Sequence, residues 1–266
     1  MSTISEANGR PVKPKAQNSK TELKVLMLHG YTQSGPLFHA KTRALEKLLI
    51  KALAPSSILP VLIYPTAPNH LLVSDLPGYE PPSEDHDEDE QPDTWAWFRK
   101  DEASGVYRLF DEGMATIAQA IREAGGVDGV CGFSQGGAVA GLVAAALEGH
   151  REPPEGPTGQ WARDLREANN NRPVRFAVSY SGFFAPVESL KWCYDPVITT
   201  PTLHYIGSLD TVVDESRSQG LIDRCQKPTV LIHPGGHHVP VAKEWAMPLA
   251  GFVRDHAQDV APGTKI

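Results

Sequence analysis

Gly132-Phe133-Ser134-Gln135-Gly136 spells G-x-S-x-G, the spacing in which a serine stands on a sharp strand-to-helix turn with a glycine two positions to either side. There a hydroxyl can attack a carbonyl, because the next backbone N–H and the positive end of the helix dipole face the negative charge that develops. The pattern is short enough to arise by chance, so its surroundings decide. A phosphate cradle is the rival use of a glycine-rich turn, but "GFSQGG" lacks the lysine of a Walker motif and does not fit G-x-G-x-x-G.

A serine nucleophile needs a base, and the base needs an orienting acid. Hydrolases of the α/β type supply them in the chain order serine, acid, histidine. Asp210 follows the apolar run of "PTLHYIG" in "YIGSLDTVVD"; Asp214, four residues on, is a substitute acid or a helix N-cap. In "HPGGHHVP", Gly235 and Gly236 allow a sharp turn before the neighbours His237 and His238, of which one can face the serine. His233, at the end of its own apolar run, reads as a packed residue. The oxyanion donors are expected to be the backbone N–H groups of Gln135 and of Tyr31, the latter in the loop "LHGYTQSG". His29 in that loop reads as a support.

Six apolar runs carry these residues: "LKVLML", "ILPVLIY", "GVDGVCGF", "VRFAVSYSG", "PTLHYIG" and "PTVLIH". Helical spacing follows the first run at Leu37, Ala44, Leu45, Leu48 and Leu49 and recurs over residues 107–124, 135–147, 214–225 and 241–256. The alternation predicts an α/β fold, a mostly parallel six-stranded sheet with helices on both faces and insertions at its surface. A single domain is expected over residues 22–257, with polar tails at 1–21 and 258–266. Residues 66–104 show no period and read as a long loop or lid; they hold the acidic run "SEDHDEDE", read as a solvated charge run without calcium-loop spacing. Trp95, Trp97 and Phe98 are expected to pin that loop to the body. Residues 150–172 read as a surface excursion or a small cap.

The formal charge of −7 argues against non-specific affinity for nucleic acid or an anionic membrane surface. Cys131, Cys193 and Cys225 show no CxxC spacing, so neither a disulfide framework nor a zinc site is suggested. The first 20 residues hold no apolar run of the kind a secretory leader needs, and nowhere do about 18 apolar residues run together. The expectation is a cytoplasmic protein acting on a small molecule without metal or cofactor; the sequence carries no signal for an oligomeric state.

Taken together, "LHGYTQSG", "YPTAPNHL", "DGVCGFSQGG", "FAVSYSGF", "GSLDTVV" and "HPGGHHVP" resemble the fungal-type family of serine hydrolases (FSH), which includes yeast esterases and polyketide-releasing thioesterases. The resemblance covers most of residues 23–256. It implies an α/β-hydrolase core lacking the first strands of longer members, with Ser134 as nucleophile, Asp210 as acid and His237, rather than His238, as base. It also implies hydrolysis of esters or thioesters with short to medium acyl chains, polyketide release being one form. From a different class, such scaffolds also serve as ligand-binding modules without catalysis. The acidic run and the excursion near Pro153 lie outside the shared motifs.

Overall fold

The computed structural model describes residues 20–75, 92–101 and 103–257. Along them run β1 (Thr21–Leu28), α1 (Gly35–Leu53), β2 (Ile58–Ile63), β3 (Asn69–His70), β4 (Trp95–Ala96), β5 (Arg99–Lys100), β6 (Tyr107–Arg108), α2 (Phe110–Glu123), β7 (Gly129–Phe133), α3 (Gln135–Leu147), α4 (Gln160–Ala168), β8 (Phe176–Tyr180), β9 (Thr202–Gly207), α5 (Glu215–Ile222), β10 (Thr229–His233) and α6 (Lys243–His256). The six apolar runs form one sheet in the order β10-β9-β8-β7-β1-β2. Every neighbouring pair in it is parallel.

Parallel strands need both faces covered, and their side chains divide accordingly. Leu23, Val25 and Met27 of β1 join Cys131, Val178 and Leu203 under α1 and α6, which contribute Leu45, Leu49, Leu249 and Val253. Leu26 and Leu28, at the alternate positions, meet Val130 and Ala177 beneath α2, α3 and α4. β7, β8 and β9 are buried along their whole length, whereas the edge strand β10 leaves Val230 and Ile232 exposed. Every residue of α3 is buried, which its glycines and alanines permit by letting it lie close on the sheet.

The chain leaves β1 for the β2 edge and then returns to place β7 on the other side of β1. The helices that follow β1 and β7 therefore cover opposite faces. Their strand ends diverge and leave a crevice, where open α/β sheets bind ligands. Tyr31 and Ser134 lie just past those two ends.

Two segments differ from their sequence reading. The region 66–104 carries short ladders, Asn69–His70 against Trp95–Ala96 and Arg99–Lys100 against Tyr107–Arg108. The second ladder delays the helix expected from residue 107 until Phe110, with Leu109 in left-handed conformation at φ 58°. The excursion 150–172 contains α4, whose apolar face packs on α2 and α3; Trp161 sets its ring edge to Phe110. It closes the body of the fold. The tail residues 1–19 and 258–266 and the acidic run lie outside the described residues. Among the described residues no helix is long and apolar enough to cross a membrane.

Candidate active site

Ser134 joins β7 to α3 with φ 54° and ψ −116°, a conformation that costs an L-residue on the order of 1–3 kcal/mol. The Ser134 N–H donates to Tyr180 O at 2.8 Å and Ser134 O accepts from Ala138 N at 3.0 Å, so both neighbouring elements hold the turn. The flanking glycines are required by close approach. A Cβ at Gly132 would stand 1.9 Å from Gly136 O, and one at Gly136 would stand 2.1 Å from Leu28 O. Ser134 occupies the N-cap position of α3, yet its side chain makes no cap bond. A serine there ordinarily bonds the helix N–H groups; here Oγ is turned away to His237.

The His237 Nε2 lies 2.9 Å from Ser134 Oγ and its Nδ1 lies 2.7 Å from Asp210 Oδ2. A carboxylate only accepts, which assigns the proton to Nδ1 and leaves Nε2 to accept from the serine. Asp210 Oδ1 accepts from the N–H groups of Val212 and Val213, at 2.9 Å each. Burial alone would raise the Asp210 carboxyl, but the hydrogen bonds from His237 and these amides outweigh it and hold the pKa below the usual value. The loops after β9 and β10 are laced together: Ser208 N–H donates to His233 O and Leu209 N–H to Gly235 O.

The competing residues have other duties. His238 is exposed and packs against the His233 ring. His233 is buried and accepts from Gly235 N, shaping the turn that precedes His237. Asp214 caps α5 by accepting from Ser216 N at 2.8 Å. Beside Ser134, the loop after β1 comes close enough that a Cβ on Gly30 would lie 3.4 Å from Ser134 Cβ. Neither Tyr31 N–H nor Gln135 N–H has a hydrogen-bond acceptor among the described residues.

His29 is fully buried and supports this loop: Nδ1 lies 2.8 Å from Gly30 O, and Nε2 accepts from Ala67 N at 3.0 Å. Burial lowers its pKa to about 4, and it does the same to His204 in β9. Both are neutral in the folded protein at pH 7, whereas the unfolded chain takes up their protons near pH 6.5. Stability is therefore complete above pH 6.5 and is lost as pH falls towards 4, by on the order of 3 kcal/mol per histidine. Denaturant midpoints measured across this range should fall steeply, and a His204→Phe variant should fall less; equal slopes would refute the assignment.

Trp97 is buried against the His29 ring and donates from Nε1 to His29 O at 2.9 Å, the pinning role expected of it. Trp95 lies half-buried at the β3–β4 ladder, and Phe98 is buried with one side on the cleft. One device escaped the sequence reading. The Gln135 side chain accepts from Trp97 N and donates to Phe98 O, both at 2.8 Å. It ties the residue after Ser134 to a segment 37 positions away, and no local pattern announces such a partner. Ser134 and Gln135 open on a cleft of about 830 Å³ whose walls include Tyr31, Phe98, Tyr107, Phe183, Val212 and Arg217.

Comparison with known proteins agrees with this architecture. The chain is 33% identical over 243 residues to Family of serine hydrolases 2 of Saccharomyces cerevisiae, covering 88% of this chain and 96% of that protein. It is 29% identical to Esterase OVCA2 of Danio rerio over 89% of this chain and 98% of that one. It also matches Dihydrofolate reductase of Schizosaccharomyces pombe at 33% identity over 82% of its own length, but spans only 44% of that longer protein. Among solved structures, acyl-protein thioesterase 2 of Zea mays gives a TM-score of 0.56 at 20% identity over 93% of this chain and 97% of that one, a likeness of α/β-hydrolase fold alone. The family described as Serine hydrolase (FSH1) matches residues 18–249, and with most of its length so matched the chain belongs to that family of serine hydrolases.

Proposed function

We propose that the protein hydrolyses carboxylic esters or thioesters of short to medium acyl chains through an acyl-enzyme on Ser134. The observation that carries this reading is the hydrogen-bonded relay from Ser134 Oγ through His237 to Asp210, with steps of 2.9 and 2.7 Å. His237 Nε2 takes the hydroxyl proton as Oγ attacks the carbonyl carbon, while Asp210 orients the imidazole and stabilises its protonated form. Charge developing on the carbonyl oxygen is met by the Tyr31 and Gln135 N–H groups, which give up no acceptor among the described residues to do so. Collapse of the tetrahedral adduct expels the alcohol or thiol, which leaves with the proton from His237. Water then attacks the acyl carbonyl, giving its proton to His237, and Ser134 departs with that proton restored.

The cleft volume of about 830 Å³ falls within the range of roughly 300–1,000 Å³ found for small-molecule sites. The name esterase carried by the Danio rerio relative points to the same chemistry. Release of a polyketide acyl chain from a thioester would follow the same steps, with a different acyl group and a thiol as the leaving group. A fluorophosphonate probe is expected to label the protein covalently and to fail on Ser134→Ala. The wild type should also turn over p-nitrophenyl esters within a series from acetyl to dodecanoyl. A folded protein that neither reacts with the probe nor cleaves any member of the series would instead be a binding module on a hydrolase scaffold.

A further inference from the structure

The cations that line the cleft beside Ser134 are not equivalent. Arg99 is paired with Asp75. Arg217, by contrast, has no carboxylate within ion-pair distance among the described residues. Of its acidic neighbours in sequence, Glu215 is exposed and makes no ion pair with it among the described residues, and Asp214 accepts from Ser216 N–H at the start of α5. The Arg217 guanidinium carbon lies 4.3 Å from the centroid of the Phe183 ring, which holds the planar group against the cleft wall. Arg217 also stands in the first turn of α5, where a cation opposes the helix dipole. The charge of Asp214 at the helix start offsets part of that opposition without forming an ion pair.

Tyr107 lines the same cleft, and its hydroxyl has no hydrogen-bond partner among the described residues. Burial raises its pKa to about 12 against the opposing pull of Arg217, so the phenol keeps its proton and remains a donor. A planar fork of N–H donors and a phenolic O–H on the walls of one cleft offer donors for the lone pairs of a carboxylate. Arg108 is exposed on the same cleft, where the charge of Asp101 opposes it.

We propose that the acyl group transferred to Ser134 carries a carboxylate at its far end, held by the Arg217 guanidinium and the Tyr107 hydroxyl. The substrates would be monoesters or monothioesters of short dicarboxylic acids. This rests on the reading of Ser134 as the nucleophile, and the apolar side chains of Phe98, Phe183 and Val213 would cover the methylenes between the two ends.

The test compares two p-nitrophenyl esters of equal chain length, the monoester of glutaric acid and the pentanoate. The wild type should show a higher kcat/KM for the glutarate monoester, and raising the salt concentration should narrow the difference. Arg217→Gln should lower the ratio of the two kcat/KM values roughly tenfold, mainly through KM, and Tyr107→Phe should lower it by a smaller factor. A wild-type preference for the pentanoate, or a ratio that Arg217→Gln leaves unchanged, overturns the proposal. Calorimetry of monoethyl glutarate binding to the Ser134→Ala protein reads the same contact without turnover, and adding Arg217→Gln should weaken it by a similar factor. If the wild type cleaves neither ester and the fluorophosphonate does not label it, the reading of Ser134 fails, and the calorimetric comparison still decides the role of Arg217.

Discussion

Replacing Ser134 by alanine is expected to lower kcat for carboxylic esters by roughly 10⁵- to 10⁶-fold, the scale seen when a serine nucleophile that works through a histidine base is removed. The reason is specific to the geometry. The Ser134 Oγ is the atom 2.9 Å from His237 Nε2, and no other hydroxyl bonds that imidazole among the described residues. His237→Ala should cost a comparable factor, and the double variant little more, because the two side chains act as one unit. Asp210→Asn should cost about 10⁴-fold, since an amide facing Nδ1 no longer fixes the tautomer that presents a lone pair to the serine. The fold should tolerate the alanine: Ser134 Oγ contributes no cap bond to α3, so the melting temperature should stay within about 2 °C of the wild type. Steady-state rates on the preferred ester, with calorimetric melting of the same samples, check both halves. Turnover by purified Ser134→Ala at a tenth of the wild-type rate would exclude Ser134 as the nucleophile.

The largest loss of stability is expected at Glu148, just past the end of α3. Its carboxylate and the Arg151 guanidinium are both buried, with side chains 3% and 1% exposed, and Arg151 Nε donates to Glu148 Oε2 at 2.6 Å. Glu148 Oε1 accepts from Thr199 N, Thr200 N and Thr200 Oγ1 at 2.7, 2.6 and 2.9 Å. Arg151 also donates from Nη1 to Trp192 O and from Nη2 to Val197 O. Burial by itself would raise the Glu148 carboxyl, but these donors more than offset it and keep the pKa below the usual value. Glu148→Ala strips the guanidinium of its counter-charge and leaves three donors without an acceptor. Removing one partner of a buried pair costs about 3–5 kcal/mol, which for a chain of this size lowers the melting temperature by on the order of 10 °C. Glu148→Gln, which keeps an acceptor oxygen for the threonines, should lose less. Thermal unfolding of the two variants checks the order, and an alanine variant as stable as the glutamine one would show that the network contributes little.

Much of the fold was legible because parallel strands buried on both faces write themselves as unbroken apolar runs, and the six runs all became strands of one sheet. What stayed hidden there was decided by contacts at long range. Tyr107 and Arg108 continue the helical pattern of α2, but pairing with Arg99–Lys100 draws them into a ladder. The polar, proline-rich text before α4 suggested a cap, yet Trp161 and Leu165 bury themselves against the body of the fold. Edge exposure of β10 was likewise invisible, because an apolar run carries no mark of its place in the sheet.

For the candidate site, the sequence by itself determined which residue types stand just past strand ends and in what order, since glycines at 132, 136, 235 and 236 mark the turns that the backbone must make. Spacing alone left His237 and His238 open; in the structure His237 meets Ser134 and Asp210 while His238 packs on His233. Only the tertiary structure decided the features that depend on partners far apart in the chain. The Gln135 amide finds the Trp97–Phe98 backbone, Trp97 finds His29, and Arg217 settles on Phe183 beside Tyr107. The physical reason is the same in each case: turns and strand ends are local and leave a local signature, whereas cleft walls are built from loops far apart in sequence that the strand order of the sheet brings together.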